Sequence, residues 1–133
     1  MNIEQIEGIG PANAKKLAKA GVKTVNAILK KGATPQGRKE IAQASGISEE
    51  KVLDYVNMAD LFRIKGVSTQ YSELLKAAGV DTVKELAQRN AQNLHQTMVE
   101  TNAAKKLVRL VPAKSMVTRW VSQAKKLPRV INY

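Results

Sequence analysis

The 133-residue chain carries 22 Lys and Arg against 11 Asp and Glu, a formal charge of +11, and no cysteine. A disulfide framework and a thiolate metal site are therefore excluded, and no apolar run approaches the ~20 residues that a membrane-spanning helix needs. Aromatic residues make up only 4% of the chain, so its core has to be built from Leu, Val, Ile and Ala. The N-terminus, Met-Asn-Ile-Glu-Gln-Ile-Glu, lacks the basic and apolar regions of a signal peptide, and a soluble cytoplasmic protein with no membrane partner is expected.

In chain order, the first organised stretch is 6–25. Ile6 is an apolar anchor, and Gly8 and Gly10 flank Ile9, so that the backbone turns sharply and comes close to another surface. Pro11 suits a first helical position. Ala14, Leu17 and Ala18 recur at helical spacing, which predicts a helix over 12–20 with Gly21 as its left-handed stop. Thr24 caps a short helix to Lys31, with Gly32 after it. Thr34-Pro35 opens a helix that ends near Ser45-Gly46. Ser48-Glu-Glu opens the next, with its acids at the positive end of the helix dipole. Val52, Tyr55, Val56 and Ala59 form one face of that helix, which runs towards Phe62.

The pattern then returns. Ile64, Gly66, Leu75, Gly79-Val80 and Thr82-Val83 repeat Ile6, Gly8, Leu17, Gly21-Val22 and Thr24-Val25 at a constant offset of 58. Further on the offset becomes 65, so that Val117, Trp120, Val121 and Ala124 match Val52, Tyr55, Val56 and Ala59. Identical spacing of turn and core residues marks an internal duplication, with residues 1–62 as the first copy and 63–133 as the second. Helices are predicted near 70–78, 83–89, 91–100, 103–111 and 113–126, with Thr101-Asn102 and Pro112 at two of the breaks. The tail from Arg129 is expected to be extended or frayed. No segment alternates as a strand does, and no Gly-, Ser- or Pro-rich linker separates the copies. The expectation is all-α: two fused repeats, nine or ten short helices, one compact unit.

The spacing at Ile6, Gly8, Ile9, Gly10, Ala14, Leu17 and Gly21 resembles the helix-hairpin-helix motif. The order of motifs over essentially the whole chain, with 59–67, Ala87-Gln-Arg-Asn90 and Lys125-Lys-Leu-Pro-Arg129, resembles a bacterial family of tandem helix-hairpin-helix proteins carrying a domain of unknown function. The resemblance implies that hairpin backbone N–H groups meet consecutive DNA phosphates where the second helix begins. Physically, unpaired amides and a positive dipole end make an anion site. In the first copy the donors would be Gly8, Ile9, Gly10 and Ala12, with Lys15, Lys16 and Lys19 beside them. In the second copy Ser68 replaces Gly10, Thr69 replaces Pro11, Ser72 replaces Ala14, and Glu73-Leu74 replace Lys15-Lys16. That hairpin, with Lys65 and Gly66, is expected to be mainly structural.

Charge adds to the motif. Residues 64–133 hold twelve basic and four acidic residues, against ten and seven in 1–63, and no acid follows Glu100. Lys105, Lys106, Arg109, Arg119, Lys125 and Lys126 are candidates for a phosphate track, and equally for the solvated side of their helices. The asymmetry favours a polyanionic partner. Trp120 is read as core by its helical neighbours, with stacking on a base as the alternative. His95 has no second His or Cys to share a metal. Asp81 lies too close to Gly79 for the catalytic acid that some helix-hairpin-helix DNA glycosylases carry, and no phosphate-binding Gly-rich loop or carboxylate pair appears. The reading is sequence-independent, non-catalytic binding of duplex DNA through its phosphates, without metal or cofactor. A protein adaptor with a basic face, meeting an acidic partner, and RNA binding are the alternatives.

Overall fold

Local caps decide where most helices begin. In the computed structural model, which describes all 133 residues, Thr24, Thr34, Ser68, Thr82 and Asn90 each turn a side-chain oxygen onto the amide three residues ahead. Pro35 occupies the first helical position behind Thr34, and Pro11 does so behind Gly10, where its missing N–H costs no hydrogen bond. The protein is all-α, with eight α-helices: α1 Pro11–Lys19, α2 Val25–Lys31, α3 Pro35–Ser45, α4 Glu49–Leu61, α5 Thr69–Ala77, α6 Val83–Ala87, α7 Ala91–Lys105 and α8 Lys114–Lys126. A single 3-10 turn, Ile3–Gln5, precedes them. The only β pairing is one isolated bridge between Asn2 and Thr24. No helix is long and apolar enough to cross a membrane.

One predicted helix is absent. The expected break at Thr101-Asn102 and the helix over 103–111 are both corrected: α7 continues through these residues to Lys105. Asn102 does not end the helix, because its side chain reaches forward instead. Its Nδ2 donates to the Val108 carbonyl (3.0 Å), and its Oδ1 accepts from the Val108 N–H (2.9 Å). The helix stops at Lys106, which adopts the left-handed conformation (φ 52°) and donates its N–H to the Asn102 carbonyl. Residues 107–113 are a loop.

The chain divides into two compact units, Met1–Asp60 with Val130–Tyr133, and Leu61–Arg129. In the first, α1 and α2 pack on α3, and Ile6, Leu17, Ile28, Ile41, Val52, Tyr55 and Val56 are buried. The C-terminal residues are extended but not frayed. Ile131 is buried, and the Asn132 N–H donates to the Ala33 carbonyl (2.7 Å). Buried Arg38 donates to the carbonyls of Gly32 (2.9 Å) and Asn132 (3.0 Å), and its guanidinium lies 5.9 Å from the Tyr133 ring centroid. The Tyr133 hydroxyl donates to Asn57 (3.0 Å). In the second unit α6 and α7 pack on α8, and α5 packs on α7. The core there holds Leu61, Ile64, Leu74, Leu75, Leu86, Leu94, Met98 and Trp120.

Candidate nucleic-acid interface

Each unit carries a tight turn immediately before a helix. In the first, the Ile9 N–H donates to the Ile6 carbonyl (3.1 Å), and in the second the Val67 N–H donates to the Ile64 carbonyl (3.2 Å). Gly8 and Gly66 take φ of +91° and +93°, a region that residues with a Cβ enter only under strain. Gly10 does not. Its backbone is extended (φ −86°, ψ −178°), nearly the geometry of Ser68 (φ −92°, ψ 178°), and a Cβ there would meet nothing within 4 Å. The sharp turn is therefore made by Gly8 alone, and glycine at position 10 matters for what it leaves uncovered.

What it leaves uncovered is the start of α1. Gly10 provides no side-chain cap, and no hydrogen bond within the protein occupies the Gly10, Ala12 and Asn13 amides; the first amide to find a helical partner is that of Ala14 (2.9 Å to the Gly10 carbonyl). The Ile9 N–H, a candidate donor in the sequence, is spent inside the turn, and the Ile9 side chain is buried. The Asn13 N–H, one residue beyond Ala12, has no acceptor within the protein. The Asn13 side chain is turned inward, donating to the Tyr55 hydroxyl (3.3 Å), which itself donates to the Gly8 carbonyl (3.3 Å). This relay ties the turn to α4 and uses none of the three amides. Burial first, with the nearby Asp54 charge, raises the Tyr55 pKa above its ordinary 10.0, against the opposing hydrogen bond from Asn13.

Lys15, Lys16 and Lys19 are exposed, while Leu17 is buried. Lys15 and Lys19 share a face, and at 1.5 Å per residue their Cα atoms are roughly 6 Å apart along the helix. An open cleft of about 460 Å³ lies beside Lys16, lined by Asn13 and Lys16 from α1, the Gly46-Ile47-Ser48 turn, and Glu50, Lys51 and Asp54 of α4. It carries both signs of charge.

The second turn is partly occupied. Its Lys65 N–H donates to Gln123 Oε1 (3.0 Å), and Gln123 Nε2 reaches back to the Lys65 carbonyl (3.5 Å). Trp120 lies beneath Gly66, with its Nε1 3.0 Å from where a Cβ would stand. Ser68 Oγ accepts from the Tyr71 N–H (3.5 Å). Lys65 remains exposed, as do Lys105, Lys106, Arg109, Arg119, Lys125 and Lys126. Trp120 is buried and belongs to the core. His95 is half-buried and bonds the Pro112 carbonyl (3.1 Å). No group of three His, Asp or Glu stands close enough to hold a metal.

Sequence reasoning missed Gln123, Arg38 and a pair of cations. Lys31 Nζ donates to the Ala20 carbonyl (3.0 Å), and Arg89 donates to the Ala78 carbonyl (3.4 Å). Each thus closes the C-terminal end of the helix behind its turn. Their separation is again 58, a signal that extending the first offset by a few residues would have found.

The family described as Domain of unknown function (DUF4332) matches residues 7–127, nearly the whole chain. The chain belongs to that family. No curated protein and no solved structure is significantly similar to it.

Proposed function

We propose that this member of the DUF4332 family is a non-catalytic binder of duplex DNA, built from two fused helix-hairpin-helix repeats, that grips phosphates without reading bases. The duplication is supported by pairs that share one offset: the turn glycines Gly8 and Gly66, the caps Thr24 and Thr82, and the cations Lys31 and Arg89 on equivalent carbonyls. At the second offset, Tyr55 and Trp120 each underlie a turn.

The observation that carries the DNA reading is the bare start of α1. Amides at Gly10, Ala12 and Asn13 have no acceptor within the protein, Gly10 adds no side chain over them, and Lys15, Lys16 and Lys19 follow. Amides at a helix N-terminus supply both hydrogen bonds and the positive end of the dipole to an anion. A phosphate held this way is fixed in position with no sequence information. The basic residues of 101–133, with no acid after Glu100, add to the attraction for a polyanion.

The test is duplex affinity against salt for the wild type and for Gly10→Asp. The position is open and its φ suits any residue, so the variant folds, and its carboxylate caps α1 just where a phosphate would sit. Affinity is expected to fall on the order of tenfold or more, about 1.4 kcal/mol per decade, with helicity kept. Wild-type binding that Gly10→Asp leaves intact would move the contact away from this turn. An absence of duplex binding at low salt would favour an acidic protein partner, and preference for RNA over DNA would favour the RNA alternative.

A further inference from the structure

Leu110 is the most exposed large hydrophobic residue, at 76%; the other two, Met1 and Tyr133, are the chain ends. It stands in the loop 107–113 of the second unit, and that loop is tied down around it. Val108, two residues before, is buried and held through both its backbone groups by Asn102. Pro112, two residues after, is buried and bonded through its carbonyl to His95. The Leu110 carbonyl itself accepts from the Tyr71 hydroxyl (3.3 Å). Tyr71 lies in the first turn of α5, its ring 5.5 Å from that of Trp120 beneath the second turn. The backbone is thus fastened on both sides while the leucine is presented outward.

Its neighbours in sequence are cationic. Lys105, Lys106, Arg109 and Lys114 flank it, all exposed, and no carboxylate follows Glu100. A pre-fixed apolar point in a positive field matches the chemistry of side chains that enter between base pairs, where phosphates neutralise the flanking cations and the apolar group takes the place of a stacked neighbour.

Resting on the DNA reading above, we propose that Leu110 is a wedge that enters the base stack, and that the preferred substrate is duplex DNA with a weakened step, at a mismatch or nick. Unstacking there costs less than in a matched duplex. Phosphate contacts would supply affinity, and the wedge would supply a preference for deformable sites.

The experiment uses the full chain and short duplexes carrying one 2-aminopurine, matched or beside a mismatch, with Leu110→Ala, Leu110→Lys and Leu110→Phe. Leu110 makes no side-chain contribution to the core, so all three fold. The wild type is expected to raise 2-aminopurine fluorescence several-fold and to bind the mismatched duplex several-fold more tightly. Leu110→Ala and Leu110→Lys should lose both effects and keep the salt-dependent affinity, while Leu110→Phe keeps the fluorescence rise. Binding without any fluorescence rise in the wild type overturns the wedge and leaves phosphate binding standing. No duplex binding at all overturns both. Leu110-dependent binding to vesicles of phosphatidylserine and phosphatidylcholine, with an unchanged duplex signal, makes the leucine a lipid contact and also overturns the wedge.

Discussion

The two turns have almost the same backbone and opposite surroundings. Gly8 and Gly66 differ by two degrees in φ, and both precede an extended residue and a nine-residue helix. Around the first, Tyr55 and Asn13 brace from beneath and the amides stay bare. Around the second, Gln123 takes the Lys65 amide, Ser68 takes the Tyr71 amide, and Trp120 presses on Gly66. Three residues after Tyr55 on α4 stands buried Met58, where α8 has Gln123 three residues after Trp120. Of the three counterparts of the bare amides, only that of Tyr71 is taken, by the Ser68 hydroxyl, while Gln123 ties down the Lys65 amide at the entry to the turn. The backbone specifies a turn, and its neighbours decide whether the turn is available to a ligand.

The comparison can be broken first at the glycines. Gly66→Ala should destabilise the protein by about 3 kcal/mol, combining left-handed strain with crowding against Trp120. Gly8→Ala, where the added methyl would meet Tyr55 at an ordinary 3.7 Å, should cost about 2 kcal/mol, mostly strain. Denaturant titration of the two variants reads the gap, and equal losses would mean that the tryptophan contact contributes nothing. Next, Tyr55→Phe removes both links of the relay and should cost about 1–2 kcal/mol, with a smaller loss in DNA affinity than Gly10→Asp causes.

The same tyrosine gives a pH signature. Its folded pKa is raised by burial, so the folded state holds the phenolic proton more tightly than the unfolded chain does. That stabilisation is complete below the unfolded pKa of about 10 and is lost as pH rises through the folded value. Phenolate absorbance should show a late-titrating component that Tyr55→Phe removes. The smallest effect is expected from Ser68→Gly. Replacing the cap by glycine should cost only a few tenths of a kcal/mol and should not raise DNA affinity, because Glu73-Leu74 stand where α1 carries Lys15-Lys16. A gain in affinity would mean that the cap alone keeps the second turn closed.

Much of the fold was legible because helix starts are local. Thr24, Thr34-Pro35 and Ser48 carry their signals within three or four residues, and the helices begin there. Asn102 misled because the residue type suggests a break, while its true partner, Val108, lies six positions on in non-helical backbone. The tail could not be read from Arg129 onward, since its anchor, Arg38, is remote in sequence. In the candidate site, the contrast between Gly10 and Ser68 was visible as a substitution in the repeat. Gln123 was invisible, since nothing about a glutamine on a basic helix says that it will reach a backbone amide 58 residues earlier. Ile9 was misjudged as a donor for a related reason: a motif gives positions, and only the closed turn reveals which of its amides is already taken.

The fastening of Val130–Tyr133 onto the first unit has a consequence for how the protein is made. Residues on both sides of Leu61–Arg129 belong to that unit. During synthesis the inserted unit therefore emerges whole, while the one begun first waits for its last four residues. At typical elongation rates the delay is roughly 4–14 s. Through that interval Arg38 lacks its Asn132 acceptor and Ile131 is not yet in its core, so the bare-amide turn is completed on an unfinished scaffold. The order in which the two units are begun along the chain is thus the reverse of the order in which their residues are completed.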